Sequence, residues 1–214
     1  MIKNYFFDFD RTLADSGMAS VHATQAAFKD AGLNVPSEAE ISSYMGMPAP
    51  DSFPKMANKE LSPAEVDALV KKFREFYIDY EDQDTSLYDG MLETLESLKE
   101  NGKNLFVVSA KETQALKRNL SKLGIDKYFN DAVGFDVVEH PKPAPDALLM
   151  LIDQNHYLLE ESVMIGDAKY DIQMGKGAHT KTCGVIWGAH DIDELKAENP
   201  DFLINQPQEL LGLE

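Results

Sequence analysis

The sequence has one cysteine, Cys183, among 214 residues, so no intrachain disulfide can form. A chain of this length can bury a core without such a staple, and the lack of one fits a reducing compartment. Cys183 lies in the run TKTCGVIW and reads as a small buried residue of a strand. Long apolar runs are also missing. No segment approaches the roughly 20 apolar residues of a membrane span. The N-terminus, MIKNYFFDFD, meets acidic residues at once and lacks the apolar stretch and small-residue cleavage site of a signal peptide. The cytoplasm is the expected location. Basic residues are scarce: 20 Lys and Arg stand against 37 Asp and Glu, for a formal charge of −17. That balance argues against a nucleic-acid partner, which would need a basic face, and against adhesion to anionic membranes.

What is present is patterned. Short apolar runs occur at Tyr5–Phe7, Leu105–Val108, Ala132–Val138, Val163–Ile165, Cys183–Trp187 and Phe202–Ile204, and helical periodicity fills most of the intervals. The alternation predicts an α/β fold, with βαβ units forming a Rossmann-like parallel sheet buried on both faces. One region breaks the rhythm. Residues 16–89 contain no convincing strand. A helix is expected from Ser16, with Val21, Phe28 and Ala31 on its core stripe, and a second after Pro36, capped by Ser37. A third follows Ser62-Pro63-Ala64-Glu65, which supplies an N-cap, a first-turn proline and a capping-box acid. The stripe Val66, Leu69, Val70, Phe73, Phe76, Tyr77 and Tyr80 gives that helix a wide packing face. The expected organisation is therefore an α/β core of residues 1–15 and 90–214, with an inserted α-helical domain at 16–89.

The acidic excess is concentrated. Glu75, Asp79, Glu81, Asp82, Asp84, Asp89, Glu93, Glu96 and Glu100 are opposed within their stretch only by Lys99, and they read as a solvated face.

Four stretches could carry chemistry. In FFDFDRT, Asp8 and Asp10 alternate with phenylalanines, which in a strand puts both carboxylates on one face. Such a buried pair needs compensation, and Mg²⁺ prefers carboxylate and carbonyl oxygens. LFVVSAK ends a second run with Ser109, where a hydroxyl and the following amides can hold a phosphate oxygen. In HPKPAP, Pro141 and Pro143 flank Lys142 and could fix an ammonium against a transferring phosphoryl group. In MIGDAKYD, Asp167 follows an apolar run and Gly166, with Asp171 about one helical turn further on. Each stretch alone also suits a turn or cap. In a parallel sheet, however, all carboxyl strand ends share one edge, where ligands bind. Acids, a hydroxyl and a lysine gathered there suit phosphoryl transfer.

These motifs, with Thr12, Lys142-Pro143-Ala144-Pro145 and the trailing GKGAHTKTCGVIWG, resemble the haloacid dehalogenase superfamily in order and spacing over essentially the whole chain. Within it the sequence is similar to phosphoglycolate-phosphatase-like enzymes with a helical cap inserted after the first motif. The resemblance implies a Mg²⁺-dependent phosphatase acting on a small phosphorylated metabolite, phosphoglycolate-like or a sugar phosphate, through an aspartyl-phosphate. It implies Asp8 as nucleophile and Asp10 as the acid that protonates the leaving alcohol and then activates water. Thr12, Ser109 and Ala110 would lie at the phosphate, and Lys142 would restrain the nucleophile. Mg²⁺ would be held by Asp8, the Asp10 carbonyl and Asp167, with Asp171 orienting metal waters or Lys142. A phosphosugar mutase, or a non-enzymatic regulator on the same scaffold, are the alternatives; a dehalogenase is disfavoured because Asp10 would have no alcohol to protonate.

Relatives carry glycine where Arg11 stands, so the turn there is expected to differ. Lys111 sits where relatives vary and takes no assigned role. Substrate choice is expected in YMGMPAPDSF, where Gly46 and the prolines shape a loop over the site. Lys71, Lys72, Arg74 and His22 are further candidates for anion contact, each as readily explained by a solvated or packed position.

Overall fold

The structure is a computed structural model that describes residues 1–81 and 83–214. Asp82, one member of the acidic run, lies outside the described residues. In chain order, β1 (Asn4–Phe7) and β2 (Ala14–Asp15) precede α1 (Gly17–Asp30), α2 (Glu38–Ser43), α3 (Ala49–Met56) and α4 (Pro63–Glu81). Then come β3 (Ser86–Leu87), α5 (Met91–Glu100), β4 (Asn104–Val108), α6 (Thr113–Lys122), β5 (Asp131–Val133) and α7 (Asp146–Asn155). The chain ends with β6 (Ser162–Gly166), α8 (Lys169–Gly177), β7 (Lys181–Val185), α9 (Ile192–Ala197) and β8 (Phe202–Ile204).

Six strands form one parallel sheet in the order β5-β4-β1-β6-β7-β8. Side chains alternate across it with period two. Tyr5 and Phe7 of β1, Leu105 and Val107 of β4, and Val163 and Ile165 of β6 pack to one side with Leu95 and Leu98 of α5 and Leu116 and Leu120 of α6. Phe6, Phe106 and Met164 face the other side, against Leu148, Leu151 and Ile152 of α7 and Met174 of α8. Both faces are thus covered, which is why these strands read as continuous apolar runs. The run at Ala132–Val138 is the exception. Only Asp131–Val133 is strand, and Phe135–Val137 turns into a 3-10 helix.

Helices α1 to α4 occupy the interval where no long strand was expected. They share an apolar cluster of Val21, Phe28, Ile41, Phe53, Leu69 and Val70. Two details differ from the sequence reading. The two-residue strands β2 and β3 pair antiparallel at the foot of this block, too short to leave a hydrophobic signature. The loop expected around Gly46 ends at Pro48, after which Ala49–Met56 is helical with Pro54 in its interior; Pro48 and Pro50 at its start are compatible with helix because the first amides need no intrahelical acceptor. The capping box forms as expected. Ser62 N donates to Glu65 Oε2 at 2.8 Å, and Glu65 N donates to Ser62 Oγ at 3.4 Å. No described helix is long and apolar enough to cross a membrane.

The acidic run is not uniformly a solvated face. Glu81 is buried at the end of α4, where Arg118, Asn119 and Lys122 of α6 all donate to its carboxylate, the arginine through Nε and Nη2 at 3.0 Å each.

Candidate active site

The site is built where β1, β4 and β6 stop. β1 ends at Phe7, so Asp8 and Asp10 lie beyond it on the connecting loop rather than on one strand face. Asp8 N donates to Ile165 O at 2.8 Å, fixing the residue against the end of β6. Its carboxylate is buried and receives Lys142 Nζ at 2.7 Å. The same ammonium donates to Asp171 Oδ1 at 2.6 Å. Lys142 is itself buried, and the Lys142–Pro143 peptide is cis.

Asp171 sits in the first turn of α8, where its Oδ2 accepts the Ala168 amide at 3.1 Å. An acid there suits the positive end of the helix. Gly166 makes the arrangement possible: a Cβ at that position would lie 2.1 Å from the Asp171 carboxyl carbon. Asp167, the next residue, accepts the Thr12 hydroxyl at 3.1 Å. Carboxylate oxygens of Asp8, Asp167 and Asp171 lie within 4.8 Å of one another, and all three residues are buried.

This crowding has electrostatic consequences. Burial pushes the Asp8 carboxyl up to about 7, with Asp171 and Asp10 adding and Lys142 opposing. Burial raises Asp167 in the same direction, reinforced by Asp171 and Asp8. Burial works against the Lys142 charge, but Asp171 and Asp8 outweigh it and hold the ammonium protonated, with its pKa raised. One lysine cannot balance three ionised carboxylates, so burial favours protons on Asp8 and Asp167; a divalent cation would take the place of those protons, and carboxylate oxygens are the donors a hard ion takes. Both Asp171 oxygens are already engaged by Lys142 and Ala168, which leaves Asp8 and Asp167 as the open carboxylates.

Asp10 belongs to a second, adjoining cluster. Its Oδ1 accepts the Ser16 hydroxyl at 2.6 Å and lies 3.2 Å from Lys111 Nζ. Ser16 occupies the N-cap position of α1, yet makes no capping bond and spends its hydroxyl on Asp10. Lys111 also donates to Tyr77 Oη of α4 at 2.8 Å and stands 4.0 Å over that ring. Burial opposes its charge, but Asp10 and Tyr77 prevail and its pKa is raised. Neither Ser16 nor Lys111 was singled out from sequence. Ser16 looked like an ordinary helix start, and Lys111 followed a motif residue where no role was visible. A lysine two residues past a strand-end serine was the available signal.

The remaining expected residues fall as follows. The Ser109 hydroxyl accepts the Lys111 amide at 3.1 Å, and Ala110 lines a cavity between α1–α4 and the sheet edge. Gly46 lines the same cavity at φ 91°, and a Cβ there would come within 3.1 Å of Tyr170 and 3.3 Å of Ala168. The loop therefore rests on the segment that carries Asp167. Arg11 corrects an expectation: it adopts φ 61°, so the turn keeps the left-handed conformation that glycine favours. Its guanidinium turns to Ser42 Oγ of α2 at 3.0 Å. His22 pairs with Asp84 at 2.8 Å, and Lys72 lies 3.6 Å from Asp30 and 3.4 Å from Glu75. Lys71 is exposed, and none of these three lines the cavity. Arg74 does line it, paired with Glu112 at 3.2 Å.

Residues 5–185 match the haloacid dehalogenase-like hydrolase family. The pyrophosphatase PpaX of Listeria monocytogenes is 30% identical over 213 residues, spanning 99% of this chain and 96% of that protein. The solved structure of a predicted phosphoglycolate phosphatase from Haemophilus somnus superposes with a TM-score of 0.90 at 26% identity, covering 99% of this chain and 97% of that one. A haloacid dehalogenase-like family hydrolase from Streptococcus pneumoniae gives 0.85 at 25% identity, with the same coverage.

Proposed function

Because the chain belongs to the haloacid dehalogenase-like hydrolase family, we propose that it is a Mg²⁺-dependent phosphatase that hydrolyses a small phosphorylated compound through an aspartyl-phosphate on Asp8. The observation that carries this reading is the buried set at the ends of β1 and β6: the Asp8 carboxylate against Lys142 at 2.7 Å, Lys142 against Asp171 at 2.6 Å, and Asp167 beside them. The names of the relatives support the same class of chemistry.

In this reading an Asp8 oxygen attacks phosphorus, the bond to the leaving oxygen breaks, and Asp10 gives that oxygen its proton. Asp10 then takes a proton from the water that attacks the aspartyl-phosphate, and phosphate leaves with Asp8 restored. Asp8 and Asp167 would hold Mg²⁺, which when bound supplies positive charge against the phosphoryl oxygens and favours ionised carboxylates. Lys142 keeps Asp8 in one orientation and offers its charge to the transferring group. Asp171 positions Lys142. Thr12 orients Asp167, while Ser16 and Lys111 hold Asp10 toward the cavity. The Ser109 hydroxyl, which accepts the Lys111 amide and keeps its own proton to donate, and the Ala110 amide lie at the same edge for a phosphate oxygen.

Asp8→Asn tests the assignment. Turnover of p-nitrophenyl phosphate with Mg²⁺ is expected to fall by at least about 10³-fold while the fold is retained. Removal of divalent ions with EDTA should silence the unsubstituted protein and added Mg²⁺ restore it. Substantial turnover by Asp8→Asn, or activity indifferent to chelation, would overturn the reading.

A further inference from the structure

The cavity beside Asp10 has a volume of about 410 Å³, within the size range of small-molecule sites. Its chemistry is uneven. Toward the sheet edge it meets Asp10, Ala110 and Lys111; toward the helices it is walled by Ile41, Phe53, Val70 and Phe73, all members or neighbours of the apolar cluster of α1–α4. Met45, Met47 and Met56 complete that wall, and methionine adapts its shape to apolar groups. The cavity is therefore a mainly apolar recess, with the hydroxyls of Ser20, Thr24, Tyr44 and Ser52 in its lining, that opens at the acid proposed to protonate the leaving group.

Three cations line it among the described residues: Lys111, Arg74 and Arg118. Each already has a carboxylate. Lys111 lies 3.2 Å from Asp10, Arg74 3.2 Å from Glu112, and Arg118 3.0 Å from Glu81. A second phosphate or a carboxylate on the leaving group would enter a mainly apolar space whose cations already face carboxylates, and a charge without a partner of its own is disfavoured there. An uncharged hydrocarbon or aromatic body would instead exchange water for Ile41, Phe53 and the methionines.

We propose that the substrate is a phosphate monoester whose alcohol carries an uncharged, largely apolar body, seated in the recess of Ile41, Phe53, Val70 and the three methionines. This rests on the phosphatase reading and narrows it. Compounds that carry a second anionic group beside the transferred phosphate, inorganic pyrophosphate and 2-phosphoglycolate among them, become poor substrates of this chain.

The test compares kcat/KM for benzyl phosphate and hexyl phosphate with that for 2-phosphoglycolate and inorganic pyrophosphate, using the unsubstituted protein with Mg²⁺. Acetyl phosphate, too small to fill the recess, reports the transfer machinery alone. The two apolar esters should exceed both anionic compounds by at least about tenfold. Pyrophosphate has the better leaving group, so its advantage in intrinsic reactivity works against this expectation. Met47→Lys and, on the exposed face of α6, Gln114→Arg each add a cation to the lining. Either should shift the ratio of benzyl phosphate to 2-phosphoglycolate toward the latter by about tenfold or more. Turnover of acetyl phosphate with an equal or greater preference for the anionic compounds would overturn the apolar substrate alone. No turnover of any compound would overturn the phosphatase reading itself.

Discussion

At the scale of single residues, the site depends on small side chains as much as on charged ones. Gly166 leaves the space that the Asp171 carboxylate fills, and a Cβ would meet it at 2.1 Å. Gly166→Ala should displace Asp171, release Lys142 and cost activity by about 10²-fold, the scale of an ångström-sized misplacement. Turnover of p-nitrophenyl phosphate and a thermal melt check this; unchanged kcat would show that Asp171 does not position Lys142. Lys111 offers a second test. It joins Asp10 to Tyr77, so Lys111→Met should lower kcat by about tenfold or more while KM moves less. Partial rescue by Lys111→Arg would separate its charge from simple packing, whereas a change in KM alone would place Lys111 outside the catalytic cluster. Asp8, Asp10, Lys142 and Asp167 were legible in sequence because each follows an apolar run or lies between prolines, and Asp171 because it lies one helical turn beyond Asp167. Ser16 and Lys111 were not, because their partner Asp10 is chosen by how α1 and the loop after β4 approach one another.

At the scale of elements, the periodic signals were reliable and the short or compromised ones were not. The short continuous apolar runs became β1, β4, β6, β7 and β8, because burial on both faces demands apolar residues throughout. The two residues each of β2 and β3 cannot display a period, and α3 hides behind its prolines. Glu81 shows how an element can mislead. Its place in an acidic stretch suggested solvent, yet it ties the end of α4 to α6 through Arg118, Asn119 and Lys122. Burial alone would raise its pKa, but these hydrogen bonds prevail and lower it from the usual 4.5 to about 2. A carboxyl depressed in the folded state contributes stability above its ordinary pKa and loses that contribution as pH falls through the folded value. Glu81→Gln should therefore reduce the melting temperature at pH 6, and the difference from the unsubstituted protein should shrink between pH 4.5 and about 2. A constant difference across that window would rule out ionisation of Glu81 as its source.

At the scale of the whole molecule, a chain of charge −17 is proposed to take an anionic substrate. The long-range field repels such a ligand, while Lys142 and a divalent ion reverse the sign only at the sheet edge. Salt screens the first effect over about 10 Å at 0.1 M and leaves buried pairs less affected. Raising ionic strength from about 0.01 to about 0.15 M with a non-chelating salt should therefore lower KM for p-nitrophenyl phosphate. A KM that climbs with salt would mean that the approach to the site is governed by local positive charge instead. By itself, the sequence determined the parallel α/β core, the helical interval and the strand-end acids, since each is written in periodicity or in residues adjacent along the chain. Only the tertiary structure decided that Lys111 meets Asp10 and Arg118 meets Glu81, that Arg11 keeps a glycine-like turn, and that the cavity beside Asp10 is mainly apolar with its cations already paired. Those outcomes depend on contacts between residues far apart in the chain, and pairing across such distances has no signature in local sequence.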